Sequence, residues 1–168
     1  QLVVRRPGPH AASVGAIGSG GMALSFEQRP PESEAIRLIH TVLDHGVTFL
    51  DTADVYAPDE RDIGHNERLI AKALHSWNGP RDRITVASKG GYTKQQGRLV
   101  PDARPTHLRQ ACERSLRALG VDVIDLYQLH TRDPAVPLHE SIGALRELHD
   151  QGKVRWIGLS NVTVTEIE

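Results

Sequence analysis

A single cysteine, Cys112, stands in this chain of 168 residues, so no intrachain disulfide can form. It shares a predicted helical face with Leu108, Leu116 and Leu119, where a free thiol serves as a small buried apolar filler. No apolar stretch approaches the ~20 residues of a membrane-spanning helix. Charge is nearly balanced, with 20 Lys and Arg against 21 Asp and Glu for a formal net charge of -1, so no overall field draws the molecule to nucleic acid or to an anionic membrane. A Rossmann or P-loop phosphate cradle is missing too, because the GSGG run at Gly18–Gly21 lacks the required spacing. His40, His45, His75, His139 and His149 fall on predicted helices or their ends, with no cysteine or carboxylate set at metal-ligand spacing, so no metal site is expected. Arg5-Arg6 is followed by Pro7, Gly8, Pro9 and His10 where a twin-arginine export signal needs an apolar segment, and a cytoplasmic protein is expected. No low-complexity tract or linker interrupts the chain. With 39% hydrophobic and 24% charged residues, it has the composition of an ordinary globular protein, and residues 1–168 read as one domain.

What is present is a repeated grammar of helix-period stretch, glycine, and short β-rich run. IRLIHTVLDHG leads into VTFLDTAD, HLRQACERSLRALG into VDVIDLYQLH, and ESIGALRELHDQG into KVRWIGLSN. Gly46, Gly120 and Gly152 stand where a helix needs a left-handed cap. Apolar residues recur at helical spacing, as in Ile36, Ile39 and Leu43, in Leu108, Cys112 and Leu119, and in Leu138, Ile142 and Leu145. Strands are predicted near Val14–Gly20, Val47–Asp51, Ile84–Lys89, Val123–Leu129 and Val154–Leu159, and helices near Glu34–His45, Asn66–Trp77, Thr106–Leu119 and His139–Gln151. A further helix is expected to begin at Thr163, with Asn161 suited to cap it. The segment Leu2–Arg6 could pair with the first strand as a hairpin across the bottom of a barrel. Alternating strands and helices mean an α/β fold with a parallel sheet, here a (β/α)8 barrel of which the chain supplies roughly the first five units. A closed barrel needs eight strands and ~250 residues, so the domain is expected to be incomplete at its C-terminal side.

Asp51, Tyr56, Lys89 and His130 each stand at or just past the C-terminal end of a predicted strand, in FLDTADVY, ITVASKG and VIDLYQLH. In a parallel barrel the ligand site is built at that end. A phenol is a weak acid in water, with a pKa of ~10, and yields its proton readily only where a cation stabilises the phenolate. Lys89 is suited to be that cation and Asp51 to hold it charged. A histidine there can orient a carbonyl or relay a proton. Strand parity groups His130 with Gln128, Leu126 and Ile124, and Lys89 with Ala87 and Thr85, so each set can face the barrel interior. A tyrosine acid with no internal electron sink implies a hydride cofactor. Each residue alone has an ordinary structural reading, as turn cap, loop aromatic, solvated lysine or strand-end histidine; the four together point to an enzyme. Glu67 is read either as bonding backbone near the site or as a helix N-terminal carboxylate favoured by the macrodipole. Trp77 and Trp156 are read as packing aromatics.

FLDTADVY followed by GHNERLIAKAL, then ASKGG, DLYQLH and GKVRWIGLSN, resembles the aldo-keto reductase superfamily from about Val14 onward, and its bacterial branch in particular. The resemblance implies that Asp51, Tyr56, Lys89 and His130 form the catalytic tetrad with Tyr56 as general acid, acting on a small-molecule aldehyde or ketone. It implies NADPH as cofactor, with Ser160 and Asn161 bonding the nicotinamide carboxamide and Gly21 and Met22 in the loop along the cofactor beside Asp51. Two departures stand out: Ala71, where the pattern usually has glycine, and the first loop GSGGMALS, where a bulkier residue often precedes the glycine. Both are expected to adjust packing only. One branch of the superfamily resembles channel β-subunits and binds NADPH while gating a partner, which gives the alternative of a non-enzymatic regulatory subunit.

Overall fold

The computed structural model describes residues 3–6 and 13–167. Two short strands, β1 (Val4–Arg5) and β2 (Val14–Gly15), pair antiparallel in the register Val4 with Gly15 and Arg5 with Val14. This is the expected N-terminal hairpin; Leu2, Pro7, Gly8 and Pro9 lie outside the described residues. Gly15 N–H donates to Thr48 Oγ1 at 2.8 Å, which seats the hairpin at the amino end of the central sheet.

That sheet has five parallel strands in the order β3 (Ser19–Gly20), β4 (Phe49–Asp51), β5 (Thr85–Gly90), β8 (Ile124–Leu129) and β9 (Val154–Leu159). Four helices alternate with them: α1 (Glu32–Asp44), α2 (His65–Ser76), α3 (Pro105–Leu119) and α4 (Leu138–Asp150). Each strand thus lies beside the next one in sequence through a helical crossover, which is the start of a barrel. The strand expected over Val14–Gly20 is two pieces, since Val14–Gly15 serves β1 and Ser19–Gly20 serves β4. The chain bends between them to pass from the hairpin into the sheet.

One face of the sheet is packed. Leu50, Val86, Tyr127 and Leu129 bury against Ile39 and Leu43 of α1, Leu69 and Ile70 of α2, Leu108, Cys112 and Leu116 of α3, and Leu145 and Leu148 of α4. Cys112 is fully buried there, as its helical face predicts. Gly46, Gly120 and Gly152 follow α1, α3 and α4 with φ of 89°, 67° and 73°, a conformation that favours glycine. The opposite face carries Phe49, Leu126 and Trp156, which are only half-buried.

Two elements depart from the sequence reading. A second hairpin, β6 (Tyr92–Gln95) with β7 (Arg98–Pro101), is inserted between β5 and α3, turning through Gln96 and Gly97 at φ of 50° and 76°. Its short polar strands lack the apolar alternation that marks a strand in sequence. At the other end, a 3-10 turn over Val164–Glu166 stands where a helix was expected. Its start is Thr163, whose N–H and Oγ1 both donate to the Glu166 carboxylate at 2.7 and 2.9 Å, so Asn161 is not the cap.

Among the described residues β3 and β9 are the edges of the sheet, and Ile157 of β9, Val164 and Ile167 are exposed. Open edges beside apolar surface invite intermolecular pairing. Residues 1–168 produced alone are therefore expected to self-associate in light scattering. A monodisperse monomer would contradict this.

Candidate active site

Parallel register brings the predicted residues together. Asp51 pairs with Ala87 and Lys89 with Gln128, so the ends of β4, β5 and β8 lie side by side, with His130 one residue past β8 and Tyr56 in the loop after β4. Lys89 retains only 6% of its exposure, and its ammonium has three protons to satisfy. It donates to Asp51 Oδ2 at 2.6 Å, to the Thr52 carbonyl at 2.9 Å and to the Tyr56 hydroxyl at 3.3 Å. An ammonium cannot accept, so in the last of these contacts the phenol oxygen is the acceptor. The Tyr56 proton is left to point at something else.

His130 stands edge-on to Tyr56, with ring centroids 5.6 Å apart and planes at 80°, and edge-on to Tyr92 at 4.9 Å and 81°. It is buried, and its Nδ1 meets no hydrogen-bond partner among the described residues. Burial first, and the Lys89 charge second, push its pKa from the usual 6.5 down to about 4. Near neutral pH it is a neutral imidazole with one N–H to offer, which suits it to orienting a carbonyl better than to delivering a proton.

Behind these four residues, Asn66 in the first turn of α2 ties the loops after β3 and β4 together. It accepts from Thr52 Oγ1 at 2.6 Å through Oδ1, and donates through Nδ2 to the Gly21 carbonyl and to Ser25 Oγ, both at 2.7 Å. Its backbone N–H donates to the Tyr56 carbonyl at 3.1 Å. Gly21 N–H in turn donates to the Asp51 carbonyl at 2.8 Å. A Cβ on Gly21 would lie 2.4 Å from Asn66 Oδ1, so only glycine lets the loop and the amide approach this closely. Met22, beside it, is 53% exposed. Across the site, Ser160 N–H donates to the Leu129 carbonyl at 2.9 Å, and Asn161, with φ of 54°, donates from Nδ2 to the His130 carbonyl at 2.8 Å. Ser160 and Asn161 thus stand beside the histidine, and Gly21 and Met22 beside Asp51.

Sequence reasoning passed over Asn66, Tyr92 and Phe26. Asn66 was visible only as part of GHNERLIAKAL, and Tyr92 as the third residue after Lys89 on a hairpin that periodicity does not show. Phe26 packs on Tyr56 with centroids 6.2 Å apart. Lys94 of the same hairpin as Tyr92 lies 5.0 Å from the Phe26 ring centroid and bonds the Ala57 carbonyl, which closes the hairpin over the Tyr56 loop. Among the described residues Glu67 makes no backbone bond at the site. It is fully buried in the first turn of α2 and accepts from Ser88 Oγ at 2.5 Å, next to Lys89.

Comparison with known proteins gives one consistent result. The sequence model of the Aldo/keto reductase family matches residues 16–168. An aldo-keto reductase from Bacillus halodurans, solved in its holo form, superposes with a TM-score of 0.84 at 34% identity, over 99% of this chain and 53% of its own. A glycerol dehydrogenase from Gluconobacter oxydans gives 0.82 at 31% identity, over 98% and 50%. A thermostable aldo-keto reductase solved with the inhibitor epalrestat gives 0.79 at 28% identity, over 98% and 56%. The chain therefore spans about half the length of these structures, and its five parallel strands with their helices are part of a (β/α)8 barrel.

Two outcomes are expected from this geometry. Asn66→Ala leaves the Thr52 hydroxyl without its buried partner, while the Gly21 carbonyl keeps the Leu24 N–H at 2.9 Å; one buried polar group left unpaired costs about 1–3 kcal/mol, urea unfolding should show a loss of about that size, and an unchanged midpoint would remove Asn66 from this role. His130 makes stability sensitive to acid. Its folded pKa of about 4 lies below the usual 6.5, so the unfolded chain takes up a proton first as pH falls, and stability is lost between about pH 6.5 and 4. At ~1.4 kcal/mol per pH unit the histidine accounts for roughly 2–3 kcal/mol of that loss. His130→Gln should remove that share when unfolding at pH 7 and pH 4.5 is compared.

Proposed function

The chain belongs to the aldo/keto reductase family, and from that membership we propose that it is the N-terminal part of a barrel that reduces an aldehyde or ketone to the alcohol with NADPH. The observation that carries this reading is the hydrogen-bond direction at Tyr56. Lys89 donates to the phenol oxygen, so the phenol proton is available to a substrate oxygen, and the phenolate left behind already faces an ammonium.

The residues divide the work. When bound, the reduced nicotinamide supplies a hydride to the carbonyl carbon. Tyr56 delivers a proton to the carbonyl oxygen as the π pair moves onto it, and Lys89 stabilises the phenolate until solvent returns the proton. Asp51, 2.6 Å from Lys89 Nζ, keeps the ammonium in place. His130, neutral and fixed between two aromatic edges, donates its N–H to the same oxygen and so aligns the carbonyl for attack. A carboxamide needs one acceptor and one donor, and the Asn161 amide with the Ser160 hydroxyl offers both beside His130; the chemistry of the pair fits the cofactor's amide. Exposed Gly20 and Met22 fit a ligand lying along the first loop, with buried Gly21 between them held by Asn66. The relative named as a glycerol dehydrogenase suggests that alcohols are within reach in the reverse direction, with the Tyr56 phenolate taking up the proton. Among the described residues no helix is long and apolar enough to cross a membrane.

Tyr56→Phe in the full-length protein tests the assignment. Positioned acid catalysis contributes typically 10²–10⁴-fold, so turnover of a general aldehyde should fall by about that factor while NADPH affinity, read by fluorescence, stays within about twofold. Undiminished turnover would take Tyr56 out of the role. A wild-type protein that binds NADPH but fails to oxidise it with any aldehyde offered would instead fit a regulatory subunit.

A further inference from the structure

The helix-facing side of β5 holds titratable groups that carbonyl reduction does not use. Asp54, two residues before Tyr56, is 1% exposed, and Glu67 is fully buried. Asp54 Oδ1 and Oδ2, Glu67 Oε2, Ser115 Oγ of α3 and Tyr127 OH of β8 are all buried without a hydrogen-bond partner among the described residues. Gly90 leaves the room that the Tyr127 hydroxyl occupies, since a Cβ there would lie 2.2 Å from it. The cation nearest to Asp54 is Arg114 of α3, whose guanidinium stands 3.7 Å from Oδ2, beyond hydrogen-bond reach, on a side chain that is 38% exposed. Arg68 of α2 is engaged with Asp62. Cys112 and Tyr127 face the pair as neutral groups, because burial pushes the thiol up to about 12 and the phenol well above its ordinary value.

Two carboxylates in a poorly polarisable interior, with one half-shielded guanidinium, cannot both ionise cheaply. Burial, then repulsion from Glu67, pushes Asp54 up to about 8, and burial likewise raises Glu67. Both groups are wired to the tetrad. Asp54 N–H donates to the Lys89 carbonyl at 3.3 Å, the Asp54 carbonyl accepts from Gly64 N–H at 2.7 Å, and Glu67 holds Ser88, the residue before Lys89.

We propose that Asp54 and Glu67 act as a buried acid pair that positions the tetrad: while the pair keeps its proton the Tyr56 loop and the end of β5 stay packed together, and when alkali removes that proton the two carboxylates repel and displace Tyr56 from Lys89. The proposal rests on the reductase reading above and adds to it a device that sets the alkaline limit of turnover without touching substrate.

The test is the pH profile of kcat in the full-length protein between pH 6 and 10, with Asp54→Asn and Glu67→Gln, which fix the pair in a less ionisable form. Turnover of the Asp54→Asn enzyme at pH 6.5 should stay within about threefold of wild type, and its alkaline limb should move up by at least one pH unit; Glu67→Gln should move it in the same direction. A thermal readout runs beside it. Because the Asp54 carboxyl keeps its proton in the folded protein to a higher pH than in the unfolded chain, this one group's contribution to stability falls as pH rises from about 4 to 8, and the melting temperature of Asp54→Asn relative to wild type should rise over that window and then level off. Profiles of both variants that superpose on wild type would overturn the proposal, and so would equal losses at every pH, which a merely structural role gives. Failure of Tyr56→Phe to reduce turnover would instead sink the reductase reading itself, so the two failures are distinguishable.

Discussion

A lysine ammonium with almost no access to water has to find an acceptor for each of its three protons, and the acceptors around Lys89 come from one short stretch of chain: the Asp51 carboxylate, the Thr52 carbonyl and the Tyr56 hydroxyl. A buried charge left one partner short costs several kcal/mol. The turn from Asp51 to Tyr56 is thereby fixed relative to β5, and Asp51 and Lys89 must leave their strands at adjacent positions on the same face. Parallel pairing of β4 with β5 meets that requirement through its register. The same contacts give the site its chemistry, since the phenol can accept from Lys89 only by directing its own proton elsewhere.

The turn is buried, with the Thr52 and Asp54 N–H groups donating to the Ala87 and Lys89 carbonyls of β5, and it has partners on its other side as well. Helix α2 supplies them from its first turn. Asn66 reaches Tyr56, Thr52, Gly21 and Ser25, while Glu67 reaches Ser88. Gly21 closes the circuit through the Asp51 carbonyl. A displacement at the first loop therefore reaches the acid, and a displacement of the acid reaches the loop. The proposed cofactor loop and the proposed proton donor share one polar network, and this is why a substitution at Asn66 is expected to matter.

Much of this was legible in the sequence, for physical reasons that differ between residues. The helix faces of Ile39 and Leu43 or of Leu108 and Cys112 repeat at 3.6 residues because burial imposes that period, and the strand ends announce themselves where an apolar run meets Asp51, Lys89 or His130. Parity placed Lys89 with Ala87 and Thr85 correctly. The β6–β7 hairpin was not legible, because Thr93, Lys94 and Gln95 are held by local turn geometry and by contacts to a distant loop, which leave no periodic trace. Nor were Asn66 and Asp54 separable from surface polar residues; nothing in GHNERLIAKAL or DTADVY tells which of their polar side chains is buried. Only the three-dimensional packing of α2 and α3 on β5 decides that.

That packing also decides the electrical character of the site. Burial drives the ionisable groups around the tetrad toward their neutral forms: it pushes His130 down, and Asp54, Glu67, Cys112 and Tyr127 up. Asp51 and Lys89 remain as a close ion pair at 2.6 Å, with Asp51 still partly open to solvent and Lys89 enclosed. Coulomb interactions strengthen as the surroundings become less polarisable. Charge that develops on the Tyr56 oxygen would then meet an ammonium 3.3 Å away. A preorganised cation of this kind needs no reorganisation when the proton leaves, which is the condition under which electrostatic stabilisation lowers a barrier. Were Asp54 and Glu67 to ionise on the far side of β5, that balance would be disturbed even before any atom moved.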